Sequence, residues 1–61
     1  MPQFTLQINM NNDAFADYPI TELVECVKEV AENIELSNSL NQHGNIKDIN
    51  GNTIGKWEIT N

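Results

Sequence analysis

The sequence predicts an α+β fold in which three strands form one antiparallel sheet and a single helix packs across one face. Three observations support this. Residues 3–10 alternate between apolar and polar side chains, and residues 20–34 repeat apolar side chains at spacings of three and four. An Asn50-Gly51 pair then separates two β-prone segments near the C-terminus. The element order is β-α-β-β, within one domain that spans residues 1–61.

The first strand is predicted over residues 3–10. Its apolar residues point to one side and its polar residues to the other, as in a strand with one buried face. The apolar set is Phe4, Leu6, Ile8 and Met10, and the polar set is Gln3, Thr5, Gln7 and Asn9.

Residues 11–19 connect this strand to the helix and are rich in Asn and Asp, which stabilise turns through their side chains. Phe15 is the exception to this polarity. We predict that Phe15 folds back to close one end of the core. The alternative is an exposed aromatic side chain that contacts a partner protein.

The helix is predicted to begin between Asp17 and Ile20, with Asp17 as the N-cap and Pro19 in the first turn. It should end near Leu36, before the polar segment 37–44. One face is apolar and carries Cys26 at its edge; its members are Ile20, Leu23, Val24, Val27, Val30, Ala31 and Ile34. The opposite face is acidic, with Glu22, Glu25, Glu29 and Glu32.

The second strand is predicted over Asn45–Ile49 and the third over Thr53–Thr60. We expect the third strand in the middle of the sheet, in the order 1-3-2; the alternative order 1-2-3 would make the first two strands parallel. A two-residue turn of type I′ should place both Asn50 and Gly51 at positive φ. Gly55 should mark either a bulge or a close approach of the helix.

The predicted core is a single cluster of apolar residues from all four elements: Phe4, Leu6, Ile8, Leu23, Val27, Val30, Ile34, Trp57 and Ile59. A core of this size in 61 residues gives a marginally stable monomer. Cys26 is the only cysteine, so no disulfide within the chain supplements it. We therefore expect a homo-oligomer, most simply a dimer, since one helix covers only one face of the sheet and an edge strand stays open.

Charge and composition exclude several classes of function. Nine carboxylates face three lysines, for a net charge of −6, and the sequence contains no arginine. Direct nucleic-acid binding requires a basic surface and is disfavoured. No segment has the length of a membrane span, and a single unpaired cysteine suits a reducing compartment. These features predict a cytoplasmic protein without membrane contact.

The sequence contains no catalytic, cofactor-binding or metal-binding set. Cys26 and His43 would form a nucleophile–base pair only if the fold brought them together. Asp48, Asn50 and Asn52 match the first positions of a calcium loop, but the glycine and terminal carboxylate of that loop are missing. We predict instead that the Asp48 side chain stabilises the hairpin turn.

The acidic helix face has two interpretations. It is either a solvated helix surface or an electrostatic surface for a basic partner protein. In the second case Glu22, Glu25, Glu29 and Glu32 are the partner-binding residues, together with Phe15 if that side chain is exposed.

Two segments carry a resemblance: Asn12-Asp13-Ala14-Phe15 after the first strand, and Asp48-x-Asn50-Gly51-Asn52-x-Ile54-Gly55-x-Trp57 at the C-terminus. With the amphipathic helix between them, they resemble a group of small bacteriophage and prophage proteins. The resemblance implies an accessory protein of the bacterial host cytoplasm that acts by binding a host protein, including host defence enzymes, and it implies no catalytic residues.

The expected function is therefore non-catalytic protein binding of phage type, with inhibition of a host defence protein as one form. The alternative is a structural or assembly homo-oligomer without a host target. A weaker alternative is small-molecule or nucleotide-signal binding between subunits.

Overall fold

The structure is a computed structural model that describes every residue from 1 to 61. Its elements follow in the predicted order: strand β1 (Gln3–Ile8), helix α1 (Pro19–Ser37), strand β2 (Gln42–Lys47) and strand β3 (Thr53–Thr60), with one turn of 3-10 helix at Asp13–Phe15. The strands form one antiparallel sheet in the order β1-β3-β2. The α+β fold, the order 1-3-2 and the central third strand are therefore confirmed.

The strand register assigns each residue to the helix side of the sheet or to its open face. Leu6 and Gly44 both lie opposite the buried Trp57, so the three positions share the helix side. His43 lies opposite Glu58, and both side chains are exposed. The open face is therefore polar, as the alternation of the first strand predicted.

Helix α1 lies closer to β2 than to the other two strands. Gly44 makes room on β2, because a Cβ atom there would come within 2.7 Å of the Trp57 indole nitrogen. Glu29 lines a narrow crevice with Asn45 and Lys47, which places the acidic side of the helix along the outer edge of β2. The apolar residues on the other side of the helix therefore face β1.

The core lies between α1, β2 and β3. Phe15 is 4% exposed, which confirms that it closes the core; the exposed-contact alternative is wrong, because a partner cannot reach a buried side chain. The buried apolar residues are Phe15, Cys26, Val30, Ile46, Ile54 and Trp57. Half-buried apolar residues packed against them are Leu6, Ile8, Ala14, Leu23, Ile34 and Ile59.

Two residues predicted to lie in the core are substantially exposed. Phe4 is 49% exposed and Val27 is 43% exposed, and Met10 lies beyond the end of β1. The offset of the helix is the cause. Its buried positions are Cys26 and Val30, so the face that meets the sheet is rotated toward β2 from the face that the apolar pattern alone predicted.

The second strand begins and ends earlier than predicted. It spans Gln42–Lys47 rather than Asn45–Ile49, and Ile49 is exposed in the turn. The Gln42 side chain explains the early start, since its amide donates hydrogen bonds to the carbonyl oxygens of Ile34 (3.3 Å) and Ser39 (2.7 Å). The end of the helix is thereby tied to the start of β2.

The turn between β2 and β3 has three central residues rather than two. The Asp48 N–H donates to the Asn52 carbonyl, and the Gly51 N–H donates to the Asp48 carbonyl, each at 3.0 Å. Gly51 has a φ of 83°, whereas Asn50 does not have a positive φ. The prediction for Asn50 is therefore wrong, because a three-residue turn of this kind needs one left-handed residue, at its end.

The ends of the helix also differ in detail from the prediction. The N-cap is Tyr18 rather than Asp17, and its side chain makes no capping hydrogen bond. Pro19 explains this shift, because the residue before a proline is driven out of the helical region. At the C-terminus Asn38 has a φ of 48° and donates its N–H to the carbonyl of Ile34.

A bulge in β3 explains the burial of Ile54. The pairing between β2 and β3 shifts register between Ile46 and Lys47, which leaves Ile54 as an extra residue directed into the core. A Cβ atom at Gly55 would collide with the carbonyl oxygen of Gln7 on β1. The bulge prediction for Gly55 is therefore confirmed, and the close approach is to β1 rather than to the helix.

Candidate functional site

The acidic helix face borders a depression between α1 and the end of β2. Three of the predicted partner-binding residues, Glu22, Glu25 and Glu29, line this depression of about 260 Å³ together with Lys47 and Ile49. Glu25 and Glu29 are exposed, and Glu22 is half-buried. Glu32, the fourth, lies outside this depression and lines a separate one with Glu35 and Leu36.

A second, larger depression of about 630 Å³ adjoins the first at the N-terminal end of the helix. Glu22 and Ile49 line both. Its further lining includes Asp13, Asp17 and Tyr18. We define the acidic surface as the five carboxylates Asp13, Asp17, Glu22, Glu25 and Glu29 that line these two depressions; a sixth lining carboxylate, Asp48, is buried and is left out of the definition.

Two large exposed apolar side chains line the depressions of the acidic surface. Tyr18 is 74% exposed and Ile49 is 79% exposed. Both line the larger depression, so they lie near each other between carboxylates. An exposed aromatic and an exposed aliphatic residue inside a charged rim is the arrangement that protein-binding surfaces use for their anchors.

Sequence reasoning missed Tyr18 and Ile49, although the sequence contains a signal for each. Tyr18 precedes Pro19, which keeps it outside the helical region, at the N-cap. Asp48 and Gly51 occupy the first and fourth positions favoured by a type I turn, which would have placed Ile49 in the turn rather than in the strand.

The Asp48 carboxylate holds the two sides of the larger depression together. It accepts hydrogen bonds from the backbone N–H groups of Asn50 and Asn52, both at 2.9 Å. It also accepts one from the Asn12 side-chain amide at 2.7 Å. The prediction that the Asp48 side chain stabilises the turn is confirmed.

The Asn12 side chain forms hydrogen bonds on both sides of this link. Its side-chain oxygen accepts a hydrogen bond from the Ala14 N–H and so caps the 3-10 helix, while its amide nitrogen donates to Asp48. The segment after β1 and the turn after β2 are therefore joined through side chains. The contact between these two segments is the Asn12–Asp48 hydrogen bond.

The environment of Asp48 favours its charged form. Burial acts to raise the pKa of the Asp48 carboxyl, but the hydrogen bonds from Asn52, Asn50 and Asn12 outweigh burial and hold the pKa below its ordinary value of 3.8. The carboxylate is thus charged at neutral pH and surrounded by N–H donors, which is the chemistry of a structural carboxylate.

Cys26 and His43 are not brought together. Cys26 is buried on the side of the helix that faces the sheet, whereas His43 lies on the open face of the sheet. Burial, reinforced by the nearby carboxylates of Glu22 and Glu29, raises the pKa of the Cys26 thiol above its ordinary value of 9.0. A protonated, buried thiol behaves as a small apolar core residue.

No three histidine, cysteine or carboxylate side chains are grouped so that they could hold a metal ion. No helix combines the length and the apolar content that crossing a bilayer requires. No family model matches the chain, and no curated protein or solved structure is significantly similar to it.

Proposed function

We propose that this chain is a non-catalytic accessory protein of phage type that binds a host protein through its acidic surface. The observation that carries the proposal is the position of Tyr18 and Ile49, exposed between the carboxylates of two adjoining depressions. Carboxylates alone are common on solvated helices. Carboxylates around two exposed anchors are the pattern of a surface that is covered by another protein.

The charge of this surface specifies a basic partner. Six carboxylates line the two depressions, the five of the acidic surface and that of the buried Asp48, and Lys47 is the only cation among the lining residues. A partner surface with lysine and arginine would be attracted from a distance and oriented as it approaches. The apolar residues would then provide most of the contact energy, since rim charges contribute mainly to rate and orientation.

The proposed mode of action is binding without chemistry. A protein that only binds acts by covering a site on its partner or by sequestering it. The resemblance to phage accessory proteins favours a host protein in the bacterial cytoplasm as the target, and a host defence enzyme is one class of target that such blocking would inhibit.

Capture from a bacterial host lysate tests the proposal. Immobilised wild-type protein is compared with Glu25→Lys/Glu29→Lys, which reverses two charges in the acidic surface. The matched control is Glu32→Lys/Glu35→Lys, which makes the same change in net charge on the same helix but outside the two depressions. We expect the first variant to lose a protein that the wild type and the control both retain.

A second pair of variants tests the apolar contribution. Ile49→Ser removes an exposed apolar side chain that lines the depressions of the acidic surface. The matched control is Leu36→Ser, which removes an apolar side chain that is 84% exposed near the end of α1, outside these depressions. Loss of one interface anchor weakens binding roughly tenfold or more. The proposal predicts that loss for Ile49→Ser only. Equal retention by both charge variants and both serine variants would contradict it.

A further inference from the structure

Strand β1 has an open outer edge that no other part of the chain covers, because β1 is the first strand of the sheet order and pairs only with β3. The Asn9 N–H donates to the Ile54 carbonyl of β3, and the Gln7 carbonyl oxygen also faces β3. Backbone groups alternate sides along an antiparallel strand. The N–H and C=O groups of Phe4, Leu6 and Ile8 therefore point outward.

This edge lacks the features by which proteins usually prevent edge pairing. Lysine side chains and prolines along an edge strand are the common protection. In this chain no charged side chain occurs before Asp13, and β1 itself contains no proline. The outer edge of β2 differs, since it ends at Lys47 and runs beside the acidic side of the helix.

The helix side of β1 is also incompletely covered. Phe4 is 49% exposed, and the helix presents an apolar stripe toward β1 that is exposed as well. We define this stripe as Ile20, Val24, Val27 and Ala31. The stripe and β1 contain no charged side chain themselves, although Lys28, four residues after Val24, and Glu35, four residues after Ala31, flank the stripe.

We propose that β1 pairs antiparallel with β1 of a second copy of this chain, about a two-fold axis that passes midway between the Leu6 residues of the two copies. The outward-pointing backbone groups belong to three residues with Leu6 at the centre, so the strand edge is complementary to itself in the antiparallel direction. Leu6 then lies opposite Leu6 of the second copy, and Phe4 lies opposite its Ile8. By symmetry Ile8 lies opposite Phe4 of the second copy. Each of these three pairs exchanges two hydrogen bonds, which gives about six in total.

Charge favours a second copy as the occupant of this edge. Each chain carries a net charge of −6, so close approach of two copies is opposed least where the contacting surface contains no carboxylate. Pairing through β1 places the two β2 edges, and with them the acidic sides of both helices, at opposite ends of a six-stranded sheet. The distance between these ends is about 24 Å, from strand spacings of about 4.8 Å, whereas charges are screened beyond about 8 Å at physiological salt.

The proposed dimer leaves the acidic surfaces of both copies free. A two-fold axis perpendicular to the sheet keeps both helices on the same face, where the two stripes face each other above Phe4, Leu6 and Ile8 of both copies. This inference does not depend on the proposed function, because the residues of the two surfaces do not overlap.

Disulfide formation between two different single-cysteine variants tests the register. In the proposed pairing Thr5 lies opposite Gln7 of the second copy in a non-hydrogen-bonded pair, where Cα atoms are about 4.5 Å apart and a disulfide is permitted. Both side chains are exposed on the open face, so the core is undisturbed. A mixture of Thr5→Cys and Gln7→Cys chains should form covalent dimers under mild oxidation, and much faster than either variant alone.

The matched control is a mixture of His43→Cys and Asn45→Cys chains, which have the same spacing and face on the other edge of the sheet. We expect no covalent dimer from this mixture. Equal cross-linking by the two mixtures, or none by Thr5→Cys with Gln7→Cys, would overturn the proposal.

Sedimentation of the uncross-linked protein provides an independent test. The wild type should have the mass of a dimer at micromolar concentration. Phe4→Lys should raise the dimer dissociation constant roughly tenfold or more, whereas Gln3→Lys, which adds the same charge on the open face, should have little effect. Circular dichroism melts verify that both variants fold. A monomeric wild type would overturn the proposal and leave the edge for a strand of another protein.

Discussion

Asp48 is the residue on which the arrangement of the acidic surface depends most. Its carboxylate accepts hydrogen bonds from the turn after β2 and from Asn12, so it positions both sides of the larger depression. A serine or alanine at this position would leave several N–H groups without a partner. In the sequence, Asp48 resembles the first ligand of a calcium loop. In the structure, its hydrogen bonds connect the segments that contain Tyr18 and Ile49.

The depressed pKa of Asp48 predicts a specific pH dependence of stability. Because the folded pKa lies below the unfolded value, the carboxylate stabilises the fold above pH 3.8, and this contribution is lost as the pH falls through the folded pKa. Asp48→Asn should lower the urea midpoint at neutral pH, and its difference from wild type should shrink in acid.

The control for this measurement is Asp13→Asn, which removes an exposed carboxylate from the same region. We expect its urea midpoint to stay near that of the wild type at neutral pH. A constant difference between Asp48→Asn and wild type from neutral to acidic pH would show that the charge of Asp48 does not stabilise the turn.

The turn provides a second prediction at the scale of single residues. Gly51 has a φ of 83°, and a Cβ atom there would meet no neighbour within 4 Å, so a substitution costs only backbone strain. Gly51→Ala should lower the free energy of unfolding by about 1–2 kcal/mol. Asn50→Ala should change it by less than about 0.5 kcal/mol. If chemical denaturation shows equal losses of unfolding free energy for Gly51→Ala and Asn50→Ala, the turn has two left-handed residues rather than one.

At the scale of elements, the sheet could be predicted from the sequence and the position of the helix could not. Alternation in β1 and the Asn-Gly turn determine which segments pair, and the long apolar β3 belongs in the centre. The missing side chain of Gly44 on β2 accommodates the Trp57 indole on the side of the sheet where α1 packs. Such a contact between β2 and β3 follows from their register, which local patterns do not specify.

The candidate site was predicted in part for the same reason. Helical spacing was enough to group Glu22, Glu25 and Glu29, because residues three and four apart share a face. The positions of Tyr18 and Ile49 depend on where the helix begins and on the length of the turn. An error of one or two residues in either boundary changes whether a large apolar side chain is predicted to be buried or exposed.

Trp57 joins the central strand to β2, and two substitutions separate its packing from its polar group. Trp57→Ala should cost about 3–5 kcal/mol, since it leaves a large cavity. Its indole N–H is buried without a hydrogen-bond partner in the chain, so Trp57→Phe loses no hydrogen bond and should cost clearly less. Denaturation followed by circular dichroism measures both. Equal costs for the two variants would contradict this prediction.

At the scale of the whole molecule, the offset of α1 toward β2 gives the surface two different sides. Along β2, carboxylates lie beside the exposed side chains of Tyr18 and Ile49. Along β1, a strand edge is unpaired and an apolar stripe is exposed. In our account the first side binds a basic host protein and the second binds another copy of the chain, so that one dimer presents two acidic surfaces and gains avidity for a multivalent target.

Amide hydrogen exchange along β1 tests this division most directly. In dilute samples we predict protection at Thr5 and Gln7, whose amides face β3, and fast exchange at Phe4, Leu6 and Ile8, whose amides face outward. At higher protein concentration the outward amides should gain protection as dimers form. Protection of all five amides in a sample shown to be monomeric would mean that the chain covers its own edge, and fast exchange at Leu6 at every concentration would mean that no second strand pairs there; either result contradicts the account.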